Sequence, residues 1–160
     1  MKKLYLILLL LTLSVSALAQ SGQQLYKKYS DLPGMEAVYI SPAMFRIIGR
    51  LPDFEINDGD VDLSPIIKSL KGFYMLSTEN PKHVKELHAD VTQFINNGNY
   101  ELLLEAKEDG EVVRIYVVGD EKTVTSLVMI EHERDEINFL SMDGNMDRDQ
   151  LGDILARASK

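Results

Sequence analysis

The chain has no cysteine, no run of basic residues, no glycine-rich loop and, beyond its first twenty residues, no long apolar segment. Each absence removes a class of function. Without cysteine there are no disulfides, no thiolate metal sites, no cysteine nucleophile and no lipid attached through an N-terminal thiol. Without basic stretches interleaved with aromatics, and with 25 acidic against 17 basic side chains, the surface repels phosphate backbones and anionic headgroups. Nucleic acid is therefore not an expected partner. Glycines lie singly at turns, so no phosphate-cradling loop is present. No serine has the Gly-x-Ser-x-Gly surround of a nucleophile elbow.

What is there begins with a leader. Lys2-Lys3 precede an apolar run over residues 4–13, and Ala17-Leu18-Ala19 supplies the small-x-small pattern read by signal peptidases. The pattern predicts a cleaved secretory signal over residues 1–19. A retained membrane anchor is the alternative, but this apolar run is short for about 30 Å of hydrocarbon. No later segment is expected to span a bilayer. Removal of the leader would leave 141 residues, enough for one domain, and would move the formal net charge from −8 to −10. In a Gram-negative host, such a chain is expected to be soluble in the periplasm.

The remainder reads as one α+β domain over residues 20–160. Residues 100–107, 111–118, 123–131 and 136–142 are rich in Val, Ile, Leu, Tyr and Phe, with Asp109-Gly110 in the first gap. Asp-Gly favours a two-residue type I′ turn, so these segments predict a four-strand antiparallel meander. Residues 73–78 and 35–40 add one or two strands. Helices are expected over 23–32 and 42–51, with Met44, Ile47, Ile48 and Leu51 on the inner side of the second. A short helix follows Ser64-Pro65 through Leu70, stopped by Gly72. The clearest helix follows Asn80-Pro81, with Val84, Leu87, Val91 and Phe94 as its apolar stripe and Asn97-Gly98 as its stop. A last helix follows Asp147-x-x-Gln150, which resembles a capping box. Strands bunched in sequence argue for α+β rather than alternating α/β. In the second segment Val113, Ile115 and Val117 face one way, Val112, Tyr116 and Val118 the other. Both sheet faces are thus apolar, and either helices cover both or one face meets a partner. Five helices make cover by the chain itself the more economical reading.

Candidates for chemistry are few. The acidic loop 53–62, with Asp53, Glu55, Asp58, Asp60 and Asp62, suggests a cation site. A calcium loop starting at Asp58 would need glycine where Leu63 stands and glutamate where Ser69 stands. The run from Asp143 to Asp149 has Arg148 at the required glycine, and capping of the last helix accounts for its side chains. His83 and His88 are five apart, not four, and Val84 follows His83 where a zinc-protease helix needs glutamate. They are expected to be structural, and His132 to sit in a charged turn. Arg46 and Arg50, four apart on one helix side, could grip a ligand carboxylate, or form ion pairs with the chain's own acids. No residue is assigned a catalytic, cofactor-binding or metal-binding role.

Three stretches carry a family resemblance. Tyr39-Ile40-Ser41-Pro42-Ala43-Met44-Phe45, Leu76-Ser77-Thr78-Glu79-Asn80, and Tyr100-Glu101-Leu102-Leu103 running into Lys107-Glu108-Asp109-Gly110-Glu111 resemble the domain of unknown function 4252 family. The resemblance covers about residues 25–154. It implies a small exported protein of a Gram-negative envelope, with no established activity. Some relatives have a lipid-attachment cysteine after the leader, and this chain departs from them. Relatives are often encoded beside sigma-factor regulators, which implies a link to envelope signalling but carries over no binding residue.

The functional expectation is a non-catalytic periplasmic module that contacts another envelope protein. A carboxylate- or metal-dependent hydrolase and a binder of a small anion through Arg46 and Arg50 are the alternatives. Partner identity, oligomeric state and strand order are not set by the sequence.

Overall fold

The Asp109-Gly110 pair shows how local chemistry starts this sheet. Both residues have positive φ, 44° and 98°, and close a two-residue turn in which Glu108 pairs with Glu111. Only residues tolerant of the left-handed region suit that turn, whose twist matches the flanking strands. The computed structural model describes residues 21–48, 57–58, 61–62 and 64–158. The leader at 1–19, Leu51, Arg50, Asp53, Glu55 and Asp60 lie outside the described residues.

In chain order the elements are α1 (Gly22–Tyr29), β1 (Glu36–Ile40), α2 (Pro42–Ile48), β2 (Asn57–Asp58), β3 (Val61–Asp62), α3 (Ser64–Ser69), β4 (Leu70–Thr78), α4 (Pro81–Asn97), β5 (Glu101–Glu108), β6 (Glu111–Gly119), β7 (Thr123–His132), β8 (Ile137–Asp147) and α5 (Arg148–Ala158). Six strands form one sheet in the order β1-β4-β8-β7-β6-β5, every neighbouring pair antiparallel. The two-residue strands β2 and β3 pair separately within the acidic loop. The fold is α+β, and its sheet contains the expected meander with β4 and β1 added at the β8 side.

Helices cover both faces, because alternate residues along each strand are apolar on each side. On one face Leu76, Val128, Ile130, Ile137 and Phe139 pack under Leu25 and Tyr29 of α1 and the Val84, Leu87, Val91 and Phe94 stripe of α4. On the other, Leu127 and Met146, with the partly buried Phe73 and Met142, meet Phe45 of α2, Ile66 of α3 and Leu151 of α5. Intramolecular cover of both faces is therefore what the chain uses over the central strands. Asn80 caps α4 by accepting from the Lys82 N–H at 3.1 Å, and Pro81 fills the first helical position, where a missing N–H costs nothing.

Several boundaries differ from the sequence reading. In α2 the buried residue is Phe45, whereas Met44 and Ile47 point to solvent. Its inner line runs through Phe45 and Ile48, and residues 49–51 of the expected helix lie outside the described residues. Leu70 and Gly72 belong to β4 and flank a register shift, so Gly72 is no helix stop. The left-handed residue after α4 is Asn99 (φ 54°), while Gly98 has φ −94°. Strand β8 runs on to Asp147, absorbing residues expected in a capping loop. There, pairing with β4 and β7 outweighs the turn propensity of Asp143-Gly144-Asn145.

Candidate functional site

The sheet has two free edges among the described residues, and they are built differently. An edge strand presents unpaired backbone N–H and C=O groups, which proteins blunt with charges and bulges. Strand β5 is blunted on both counts. It carries Glu101, Glu105, Lys107 and Glu108, and a register irregularity lies between Leu102 and Leu104. Its Glu105 carboxylate takes hydrogen bonds from Arg114 at 2.6 Å and from Lys107 at 2.8 Å. Strand β1 has one charged residue, Glu36, and keeps regular register from Glu36 opposite Ser77 to Ile40 opposite Phe73. Val38 and Tyr39 project to opposite faces and are 41% and 43% exposed. The exposed Met44 and Ile47 follow on α2.

The β1 edge also carries an aromatic cluster. The Tyr39 ring stacks on Tyr74 with centroids 5.2 Å apart and planes 11° apart, and Tyr26 tilts onto both at 5.8 and 5.9 Å. Aromatic pairs of this kind hold a strand in place at low entropic cost. A regular edge with a single charge, at its first residue, and flanked by apolar side chains suits an incoming extended segment.

Behind Tyr74 lies a polar group that the sequence reading missed. Asp143 was expected among residues capping the last helix, yet only Asp147 caps it, accepting from the Gln150 N–H at 3.0 Å. Asp143 sits inside β8, opposite Ser126, which it meets in a side-chain hydrogen bond. Tyr100 donates to the Ser126 hydroxyl at 3.0 Å. Burial pushes the Asp143 carboxyl above its ordinary value, against the opposing hydrogen bond from Ser126. Tyr74 is pushed up by burial, then by Tyr39 and Asp143. Next to them the Ser141 hydroxyl is fully buried without a hydrogen-bond partner. The chain from Tyr100 through Ser126 to Asp143 orders hydroxyl protons, but contains no imidazole to activate Ser126.

The histidines fall into two environments. His83 is buried on α4, with Nδ1 3.5 Å from a Glu86 carboxylate oxygen. His88 and His132 face each other with ring centroids 4.9 Å apart at 50°. Strand β7 extends to His132, so that residue lies at a strand end rather than within the turn. Among the described residues, one cluster has three ligating groups within 4.8 Å of one another: Glu111, Glu131 and Glu133. These carboxylates lie at the end of the β6–β7 pair away from its turn, and we assign them no ion. Burial, then Glu131 and Glu108, raises the Glu111 carboxyl. Arg46 is exposed and stands without Arg50 in the described residues. Between α3, α5 and the sheet lies an apolar cleft of about 280 Å³, walled by side chains such as Ile67, Leu140, Met142 and Ile154. It has no polar group to orient a ligand.

Among the described residues no helix is long and apolar enough to cross a membrane. These features define a single six-stranded antiparallel α+β domain whose clearest outward-facing element is an unblunted sheet edge. The chain belongs to the family described as domain of unknown function 4252, whose model matches residues 29–154. No curated protein and no solved structure matches it.

Proposed function

We propose that this chain is an exported, non-catalytic binding module that contacts another envelope protein through the β1 edge. The leader pattern over residues 1–19 supports export, followed by a soluble periplasmic domain at 20–160. The observation that carries the reading is the contrast between the two edges. Charge and a bulge blunt β5, while β1 stays regular, uncharged beyond Glu36 and apolar on both sides. The fitting partner offers an extended segment with apolar side chains, adding a seventh strand by backbone hydrogen bonds. A role in envelope signalling is consistent with such a module and has no residue of its own here.

The test is site-specific photo-crosslinking in cells, with the probe at Val38 and a control probe at Leu102. The expected result is one adduct with an envelope protein from position 38, none from 102, and its loss on Tyr39→Lys with an unchanged thermal midpoint. An adduct only with a second copy would replace the reading by homodimerisation. Equal adducts from both positions would overturn it.

A further inference from the structure

In a chain of net charge −8, one cleft gathers cations. It lies between the first turns of α4 and the β7–β8 turn, has a volume of about 290 Å³, and is lined by Lys85, His88, His132, Arg134 and Asp135, with Pro81 and Val84 as its apolar wall. Helical spacing makes this arrangement: Pro81, Val84, Lys85 and His88 are at i, i+3, i+4 and i+7, one line along α4. Strand alternation supplies the other side. His132 has the parity of Val128 and Ile130, whose side chains pack beneath α4, so its ring rises beside His88.

Among the described residues neither Lys85 nor Arg134 forms an ion pair, and Asp135 is the acidic residue in this lining; Arg134 also borders an adjoining acidic cleft with Glu108, Glu111 and Glu133. Arg114 stands close enough to act on His88, but its guanidinium is held by Glu105. The positive end of the α4 dipole adds to the same side. Burial first, then His132 and Arg114, holds the His88 imidazole below its ordinary value, so near neutral pH it is uncharged and offers an N–H.

We propose that this cleft binds a small oxyanion, a phosphate or carboxylate on a compact body, held by Lys85 and Arg134 and by imidazole N–H groups of His88 and His132. Charge complementarity selects the anion. The cleft opens to solvent, and its 290 Å³, the space of about ten liquid waters, accommodates a compact anion. The apolar wall at Pro81 and Val84 takes its body. The site is separate from the β1 edge, so either assignment can fail alone.

The test is titration of the mature protein with inorganic phosphate and, separately, with succinate, followed by NMR of the histidine rings and the α4 amides at matched ionic strength in sodium chloride. Saturable shifts at His88, His132 and Lys85 are expected. The double variant Lys85→Gln, Arg134→Gln should weaken binding by roughly tenfold or more, as loss of charge-assisted contacts does, with the thermal midpoint unchanged. Saturation by phosphate alone assigns a phosphoryl ligand, and saturation by succinate alone a carboxylate. Shifts reproduced by chloride, shifts unaffected by the double variant, or saturation by zinc in place of both anions would overturn the proposal.

Discussion

Asp90 ties α1 to α4, and its replacement by Asn tests how that tie works. The carboxylate accepts from Lys28 and, at 2.7 Å, from the buried Tyr29 hydroxyl. Partial burial pushes the Asp90 carboxyl up, but hydrogen bonds from Lys28 and Tyr29 and the Lys28 charge outweigh it and hold it below its ordinary value. Tyr29 shifts the other way, raised by burial and then by the bond to Asp90. A carboxylate depressed in the fold contributes stability that is present above its unfolded pKa of about 3.9 and lost as pH falls through the folded value. Buried charge-assisted hydrogen bonds are worth about 1.5–3 kcal/mol, and exposure of the Lys28 ammonium brings this pair nearer 1 kcal/mol. Asp90→Asn should therefore cost about 1 kcal/mol at pH 7, or about 3–5 °C in thermal midpoint for a domain of this size. The cost should be smaller at pH 2 than at pH 7, because the wild-type carboxyl takes up a proton as pH falls through its depressed folded value. Urea unfolding of both proteins at the two pH values measures the difference. An equal loss at both pH values would refute the electrostatic argument and leave packing as the cause.

Phe139 is fully buried and meets Phe94 edge-on with centroids 6.4 Å apart, so Phe139→Ala should cost about 3–5 kcal/mol in urea unfolding, whereas truncation of the exposed Leu102 should cost under about 0.5 kcal/mol. A Cβ added at Gly22 would lie 2.3 Å from the Ser141 hydroxyl oxygen, so Gly22→Ala should destabilise by about 1–3 kcal/mol, with part of the loss restored by Ser141→Gly in a double-mutant cycle. Asp143 has a raised carboxyl, the opposite of Asp90: ionisation above its unfolded pKa costs stability. Asp143→Asn should raise the thermal midpoint at pH 7 and leave it nearly unchanged at pH 3; a lower midpoint at pH 7 would show that the charge has a partner the fold needs.

Much of the framework was legible because its signals are local. Asp109-Gly110 specified its own turn, Asn80-Pro81 its own helix start, and the Val84, Leu87, Val91 and Phe94 stripe a buried face. Period-two alternation in 112–118 gave both sheet faces correctly, since side-chain direction along a strand follows from backbone geometry. The errors arose where neighbours overrode local preference. Met44 and Ile47 satisfy helical spacing as well as Phe45 does, and only the position of the sheet under α2 chooses the inner line. Asp143 was assigned to the cap of the last helix, yet pairing on both sides draws it and Gly144 into β8.

The sequence by itself determined the α+β class, the meander and the helix that covers it, because hydrophobic period and turn chemistry act over a few residues. Tertiary structure alone decided that β1 and β5 become the edges, that His88 meets His132, and that Ser126 meets Tyr100 and Asp143. Those juxtapositions depend on strand order and register, which are set by packing among segments far apart in the chain. The candidate sites of this protein are all of that second kind.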